Sequence, residues 1–471
     1  MIYALRSRRV VTPDGERDAV VVIDGEHIVA VKTPEDVADG IPVEDLGEVA
    51  LLPGLVDAHT HINEPGRTEW EGFATATRAA AAGGFTTVID MPLNSLPETT
   101  NVAALELKRE AARAGGPGGT AQCMVDYALW GGCVDGNKKE LEPLALAGVP
   151  GYKSFLIYPG CDGFTAIDRA NLELALPHIA RTGLPLLVHA ELERYINEAN
   201  LYLERSGADW RKYATYLASR PDEAELEAIE MLLEMARTYK FKLHIVHLST
   251  TKALEMIRAA KREGVDVSVE TCPHYLHCCA EEIADGATLF KCAPPIRSRA
   301  NRELLWEALR DGTLDLIATD HSPCPPEMKR LTPTRPGEEC GRFDEAWGGI
   351  ASLSTALSVV WTDAAARGFG LADVSRWMSA APAKLAGLST EVGSIEAGKH
   401  ANFVAFGADA SFTVTPEVLH YRHRISPYMG ETLRGVVRGT WLRGQKIFDG
   451  DVFPVTPQGR EYAVSCALHQ R

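Results

Sequence analysis

The chain has 471 residues, 45% of them hydrophobic and 24% charged, which marks a globular protein with room for a large core and a second, smaller domain. Its 48 Lys and Arg against 64 Asp and Glu leave a net charge of −16, which excludes a general nucleic-acid binder or a protein drawn to anionic membranes. No apolar run reaches the length of a membrane span and MIYALRSRRVV lacks a signal-peptide core, so a cytoplasmic protein with its ten cysteines reduced is expected.

Residues 1–50 read as short strands joined by turns, with Asp24-Gly25 between two β-rich runs in the pattern of a tight hairpin. From about residue 51, apolar strands alternate with helical stretches. The expected strands are Leu52–Ile62, Thr86–Met91, Ala121–Leu129, Gly151–Leu156, Pro185–Ala190, Lys242–Ser249, Asp266–Tyr275 and Asp315–Ser322. Helical patterns between them include Gly72–Ala82, Glu140–Ala147, Ala224–Tyr239 and Thr251–Glu263. In the third, Leu226, Ile229, Leu233 and Ala236 recur at helical spacing. Eight strands with intervening helices predict an α/β protein built on a parallel (β/α)8 TIM barrel over residues 51–389. Long connections at 191–222 and 323–348 read as functional or disordered loops. Strand texture returns after about 390, so 1–50 and 390–455 are expected to form a small β-sandwich domain, followed by a tail at 456–471.

In the first barrel strand, LPGLVDAHTHIN, Asp57, His59 and His61 project the same way, and two imidazoles one residue apart can hold one metal ion. Further ligand types stand at other strand ends: Lys153 in GYKSFL, His189 in PLLVHAE, His247 in LHIVHLS and Asp320 in DLIATDHS. Each alone has an ordinary explanation, as a surface charge, a satisfied core histidine or a helix cap. Together they require five strands to end independently on a ligand-type residue, at the face where barrel catalysis occurs. Four histidines and one aspartate exceed the needs of one four-coordinate zinc but can divide between two divalent ions. A protonated lysine would repel such a pair, whereas a lysine carbamylated by CO2 would bridge it as an anion. A second bridge would be water, acidified toward hydroxide, with Asp320 as the base that passes its proton to the leaving nitrogen.

The segments PGLVDAHTHINEPGRTEWEGF, GGFTTVIDMPLNS, GYKSF, VHAE, IVHLS, CPHYL, KCAPPIR and ATDHSPC resemble the cyclic amidohydrolases of the amidohydrolase superfamily. The resemblance covers nearly the whole chain and extends to GSIEAGKHANFVAF, where Asn402 stands in place of the family's usual Asp. It implies a binuclear centre, most often zinc, with cobalt, manganese, iron or nickel as alternatives. His59 and His61 would serve one ion with Lys153 and Asp320. His189 and His247 would serve the other, sharing Lys153 as N6-carboxylysine, and Asp57 would orient a ligand from behind. Dihydroorotases typically follow the histidine pair with Leu-Arg-Glu-Pro-Gly; this chain has Ile62-Asn63-Glu64-Pro65-Gly66. An amide at Asn63 suits a neutral ureide rather than a carboxylate. NEPGRTEWEGF with MPLNS resembles the allantoinase branch, whose members open the hydantoin ring of allantoin. Asn63, Asn94, His274, Ser322 and the backbone around Cys292 are the expected substrate contacts. The resemblance also implies a small-molecule partner and a homotetramer. Two other readings are a hydantoinase or dihydropyrimidinase, and a non-catalytic assembly protein of the same fold, which usually lacks some of the six ligands retained here. Arg67, Trp70 and Glu71 belong to the first loop, without a role legible in the sequence.

Overall fold

The computed structural model describes residues 2–114, 122–333, 339–466 and 468. Its centre is a ring of parallel strands: Leu55–Thr60, Phe85–Asp90, Asp126–Leu129 continuing as Gly131–Gly132, Tyr152–Phe155, Pro185–His189, Lys242–Ile245, Val267–Thr271 and Leu316–Ile317. A parallel bridge from His321 to Thr60 closes the ring. These strands are buried on both faces, as expected where helices cover a parallel sheet, and the eight-strand count read from the sequence is met.

Five of the expected strands run too long by two residues or more at an end. The first covers only Leu55–Thr60, because Leu52 and Pro53 pair with Val404 and Phe403 instead. The third begins at Asp126, and Ala121 lies outside the described residues. The sixth ends at Ile245 rather than Ser249. The seventh ends at Thr271 because Pro273, which has no N–H to give a ladder, opens the short helix Pro273–His277. The eighth is reduced to Leu316–Ile317, since the ladder ends with the Ala318 N–H on the Thr271 carbonyl and Thr319 donates its main-chain N–H to Asp57 at 2.9 Å. Nor is the 191–222 connection structureless; it carries helices Glu193–Ser206 and Tyr213–Ser219. Helix Asp222–Tyr239 buries Ile229, Leu233 and Ala236, the apolar spacing seen in the sequence.

Strands from both ends of the chain build one eight-stranded sheet. Its order is Gln445–Asp449, Thr432–Leu442, Phe403–Thr413, Ala50–Pro53, Ile2–Thr12, Gly15–Asp24 and His27–Lys32, with Val43–Asp45 also beside Ile2–Thr12. Leu5, Val21 and Ile23 pack in one apolar cluster and Ala4, Val20 and Val22 in another, as alternation along a strand requires. The Asp24-Gly25 hairpin is present, with Asp24 opposite His27 and Gly25 at φ +58. The segment around Arg460 runs beside the third barrel strand, where Tyr127 N–H donates to its carbonyl at 3.0 Å and Tyr462 N–H returns to Tyr127 at 2.7 Å. All ten cysteines are free thiols.

Candidate active site

A parallel barrel places the C-terminal ends of all its strands on one rim, so side chains far apart in sequence meet there. His59 and His61 leave the first strand, and both Nε2 atoms lie 3.3 Å from Asp320 Oδ1 beyond the eighth. His189, at the end of the fifth strand, sets its Nδ1 3.0 Å from His247 Nε2. The rings of His59 and His247 stand 5.4 Å apart between centroids, so the two pairs form one continuous cluster. Lys153, inside the fourth strand, is completely buried; its Nζ has no hydrogen-bond partner and sits 4.0 Å from the centre of the Phe155 ring. His247 and Asp320 stand just past their strands in left-handed backbone, at φ +37 and +45, which aims both side chains inward.

The electrostatics hold three of the four histidines as neutral donors ready for cations, while at His59 burial is outweighed by the carboxylates of Glu270 and Asp320, which raise the imidazole. Burial and the neighbouring His189 and Lys153 hold the His247 imidazole well below its usual pKa, and burial lowers His189 and His61 as well. Neutral imidazoles are the form that binds metal. Burial pushes the Asp320 carboxyl up, but the nearby His59, His61 and His274 more than reverse this and keep it ionised. Burial also drives the Lys153 amine down, to about 7. Among the described residues, His59, His61 and Asp320 form one group with ligand atoms close enough to hold an ion, and Cys272, His274 and Asp320 form another.

The cluster floors a cavity of about 700 Å³ lined by His59, His61, Asn94, His189, His247, Asp320 and Ser322, with Phe155, Arg220, Lys291 and Trp347 in its walls. Asn94 also stands in left-handed backbone, and its amide approaches His61 Nδ1 at 3.5 Å while accepting from the Cys161 thiol at 2.8 Å. Of the backbone at 292–294, Ala293 reaches the cavity; the Cys292 carbonyl accepts from the Tyr216 hydroxyl at 2.7 Å. Asn63 lies behind the wall, buried, donating to the Pro323 carbonyl at 3.3 Å, with its own amide oxygen unpaired. His274 is buried beside Asp320 and neither ring nitrogen has a hydrogen-bond partner; burial takes it down to about 4. Asp57 accepts from Thr60 and Thr319 hydroxyls at 2.6 and 2.5 Å and braces the first strand against the eighth.

Several residues of the site went unassigned in the sequence. Glu191 and Glu270 each receive an N–H from a cluster histidine, at 2.7 Å from His189 and 2.5 Å from His59. A carboxylate in an apolar strand was the available signal for Glu270, and position two after His189 for Glu191. Trp347 packs edge-on against Trp70 at 5.0 Å, and Arg67 lies 4.8 Å over Trp70, so the first loop and the loop after the eighth strand share one wall. Gly349 lets that loop approach: at φ +129 it lies so near that a Cβ would come within 2.6 Å of the Ser322 carbonyl oxygen.

The amidohydrolase family model matches residues 50–447. The chain belongs to the amidohydrolase family. It is 48% identical to the allantoinase of Streptomyces avermitilis over 97% of each chain, and 42% identical to the allantoinase of Arabidopsis thaliana over 95% of this chain and 88% of that one. Among solved structures, it superposes on the L-hydantoinase (dihydropyrimidinase) of Arthrobacter aurescens with a TM-score of 0.87, at 29% identity over 98% of this chain and 99% of that one. This amidohydrolase therefore carries the family and the barrel that its sequence motifs implied, and its rim holds the donor types of a metal-dependent hydrolase.

Proposed function

We propose that this amidohydrolase opens the ring amide of allantoin to give allantoate, using two divalent ions, most often zinc, held among His59, His61, His189, His247 and Asp320. The observation that carries the metal reading is Lys153, a buried amine without a partner, set among histidines and an aspartate. Carbamylated by CO2, it would supply the negative charge that two bound cations would need. Once bound, the ions would polarise the ring carbonyl and lower the pKa of the attacking water.

The chain's own groups account for the remaining steps. Asp320, an ionised carboxylate in the cavity wall, takes the proton of the attacking water. Water adds to the ring carbonyl, the C–N bond breaks, and Asp320 returns the proton to the departing nitrogen. Asn94 and Ser322, both lining the cavity, offer the paired donor and acceptor character that a neutral ureide requires. His274 stands near Asp320 as a neutral ring able to donate or accept. The choice of allantoin over other cyclic amides is supported by 48% identity to an allantoinase across nearly both full chains. A second reading, hydantoin or dihydropyrimidine hydrolysis, is favoured by the superposition on an L-hydantoinase. Turnover of allantoin against hydantoin, dihydrouracil and dihydroorotate separates the two. Preference for hydantoin or dihydrouracil overturns the first.

The homotetramer belongs to the same proposal and is tested by light scattering on a size-exclusion column. Among the described residues no helix is long and apolar enough to cross a membrane. We place the enzyme in the cytoplasm, which fractionation of cells would test.

A further inference from the structure

Glu270 stands in the seventh barrel strand, fully buried beneath the histidine cluster. A carboxylate taken out of water is costly unless its oxygens are occupied, and here both are. Oε1 accepts from His59 Nδ1–H at 2.5 Å and from the main-chain N–H of His247 at 3.2 Å. Oε2 accepts from His244 Nε2–H at 3.1 Å, while His244 Nδ1 accepts from the Ser268 hydroxyl at 2.8 Å.

These bonds have different consequences for the two halves of the cluster. With Nδ1 of His59 committed as a donor, the neutral ring that a metal ion requires carries its lone pair on Nε2, and that atom is the one facing Asp320 at 3.3 Å. His247 occupies left-handed backbone that a residue with a Cβ adopts at a cost. Its N–H, past the end of the sixth strand, is served by the Glu270 carboxylate instead of a neighbouring strand. One oxygen thus sets the ring of a ligand assigned to the first ion and the backbone of a ligand assigned to the second. Glu191 provides the contrast. Its Oε2 accepts from His189 Nε2–H at 2.7 Å and from Arg220 at 2.5 Å, so it bears on a single ligand.

We propose that Glu270 is a positioning residue that couples the two ion sites, so that disturbing it loosens both ions together. The inference rests on the two-ion reading above. Wild type, Glu270→Gln and Glu191→Gln are to be loaded with zinc, titrated with a competing chelator and counted by elemental analysis, with the visible spectrum of cobalt-substituted protein as a second readout. Glutamine puts an N–H where one of the two carboxylate oxygens now accepts. Glu270→Gln should therefore weaken both ions by a similar factor, roughly 10–100-fold, and alter the cobalt spectrum, whereas Glu191→Gln should weaken one ion only. Glu270→Asp, which keeps the charge but withdraws the carboxylate by one methylene, carries the same expectation and serves if the amide variant does not fold. Two ions in wild type with both affinities unchanged in the Glu270 variants, or only one of them lowered, overturns the coupling alone. Fewer than two ions in wild type overturns the two-ion reading and the coupling with it.

Discussion

Raising the pH should loosen the exit of the seventh barrel strand, where His277 is held as a cation between two carboxylates. Its Nδ1 lies 2.6 Å from Asp363 Oδ2 on helix Ala356–Ala366, and its Nε2 lies 2.7 Å from Glu431 Oε2 at the edge of the terminal sheet. Burial alone would lower the imidazole, but the hydrogen bonds to Asp363 and Glu431 outweigh it and raise the pKa from 6.5 to about 9. At about 1.4 kcal/mol per unit, the rise corresponds to about 3.5 kcal/mol at most. The Glu431 side chain is 38% exposed, so screening by water reduces the expectation to about 1–2 kcal/mol. Because the folded value lies above the unfolded one, this stabilisation is complete below pH 6.5, declines as the pH rises, and is lost above about 9. The assay is chemical denaturation of wild type and His277→Gln at about pH 6, 7.5 and 9.5. The variant should be less stable by about 1–2 kcal/mol at the lowest pH, and the gap should close at the highest. A gap that does not change with pH, or no gap at all, would refute the reasoning. The same latch holds the short helix Pro273–His277 that carries His274, so any fall in wild-type turnover that comes from losing this latch at alkaline pH should be absent from the variant.

Lys153→Ala should lower metal content from about two ions per chain and abolish most turnover while the barrel still folds; normal metal and normal turnover by elemental analysis and kinetics would return Lys153 to a purely structural role. Asn63→Arg forces a long cation into a fully buried left-handed position behind the cavity wall, bonded to Pro323, and should cost most allantoin turnover; unchanged kinetics would show that this position does not shape the cavity. Gly349→Ala would set a Cβ 2.6 Å from the Ser322 carbonyl oxygen at φ +129, so thermal denaturation should reveal a loss of about 1–3 kcal/mol together with weaker substrate binding.

What could be read in the sequence was the rim, because rim residues announce themselves locally. A His-x-His pair on an apolar strand, a lysine in GYKSF and an aspartate after LIAT each stand out against their own neighbours. Parallel closure then brings them together whatever their exact position, since every strand ends on the same side. For the same reason, strand ends placed at Ser249 rather than Ile245 and at Ser322 rather than Ile317 did not separate His247 or Asp320 from the cluster. Both lie beyond their observed strands and are turned inward by left-handed backbone, which periodicity does not encode.

The residues that hold the rim in place could not be read this way, because each acts on a strand remote in sequence. Glu270 reaches His59 across 211 positions, Asp57 reaches Thr319 across 262, and the main-chain N–H of Arg422 donates to the Glu71 carboxylate across 351. Such pairs depend on the register between strands, which is fixed only when the barrel closes at Thr60 and His321. The composition of a strand shows that a buried carboxylate must find partners; it does not say which. Trp70 illustrates the same limit. Its large indole could be read as a feature of the first loop, but its meaning comes from Trp347, on a loop that Lys291 and Lys329 tie down through the carbonyls of Ala346, Trp347 and Gly349. A lysine amine bonded to neutral carbonyls inside a protein is an expensive anchor. Two such anchors hold the backbone at 346–349, so this part of the cavity wall is shaped before substrate arrives.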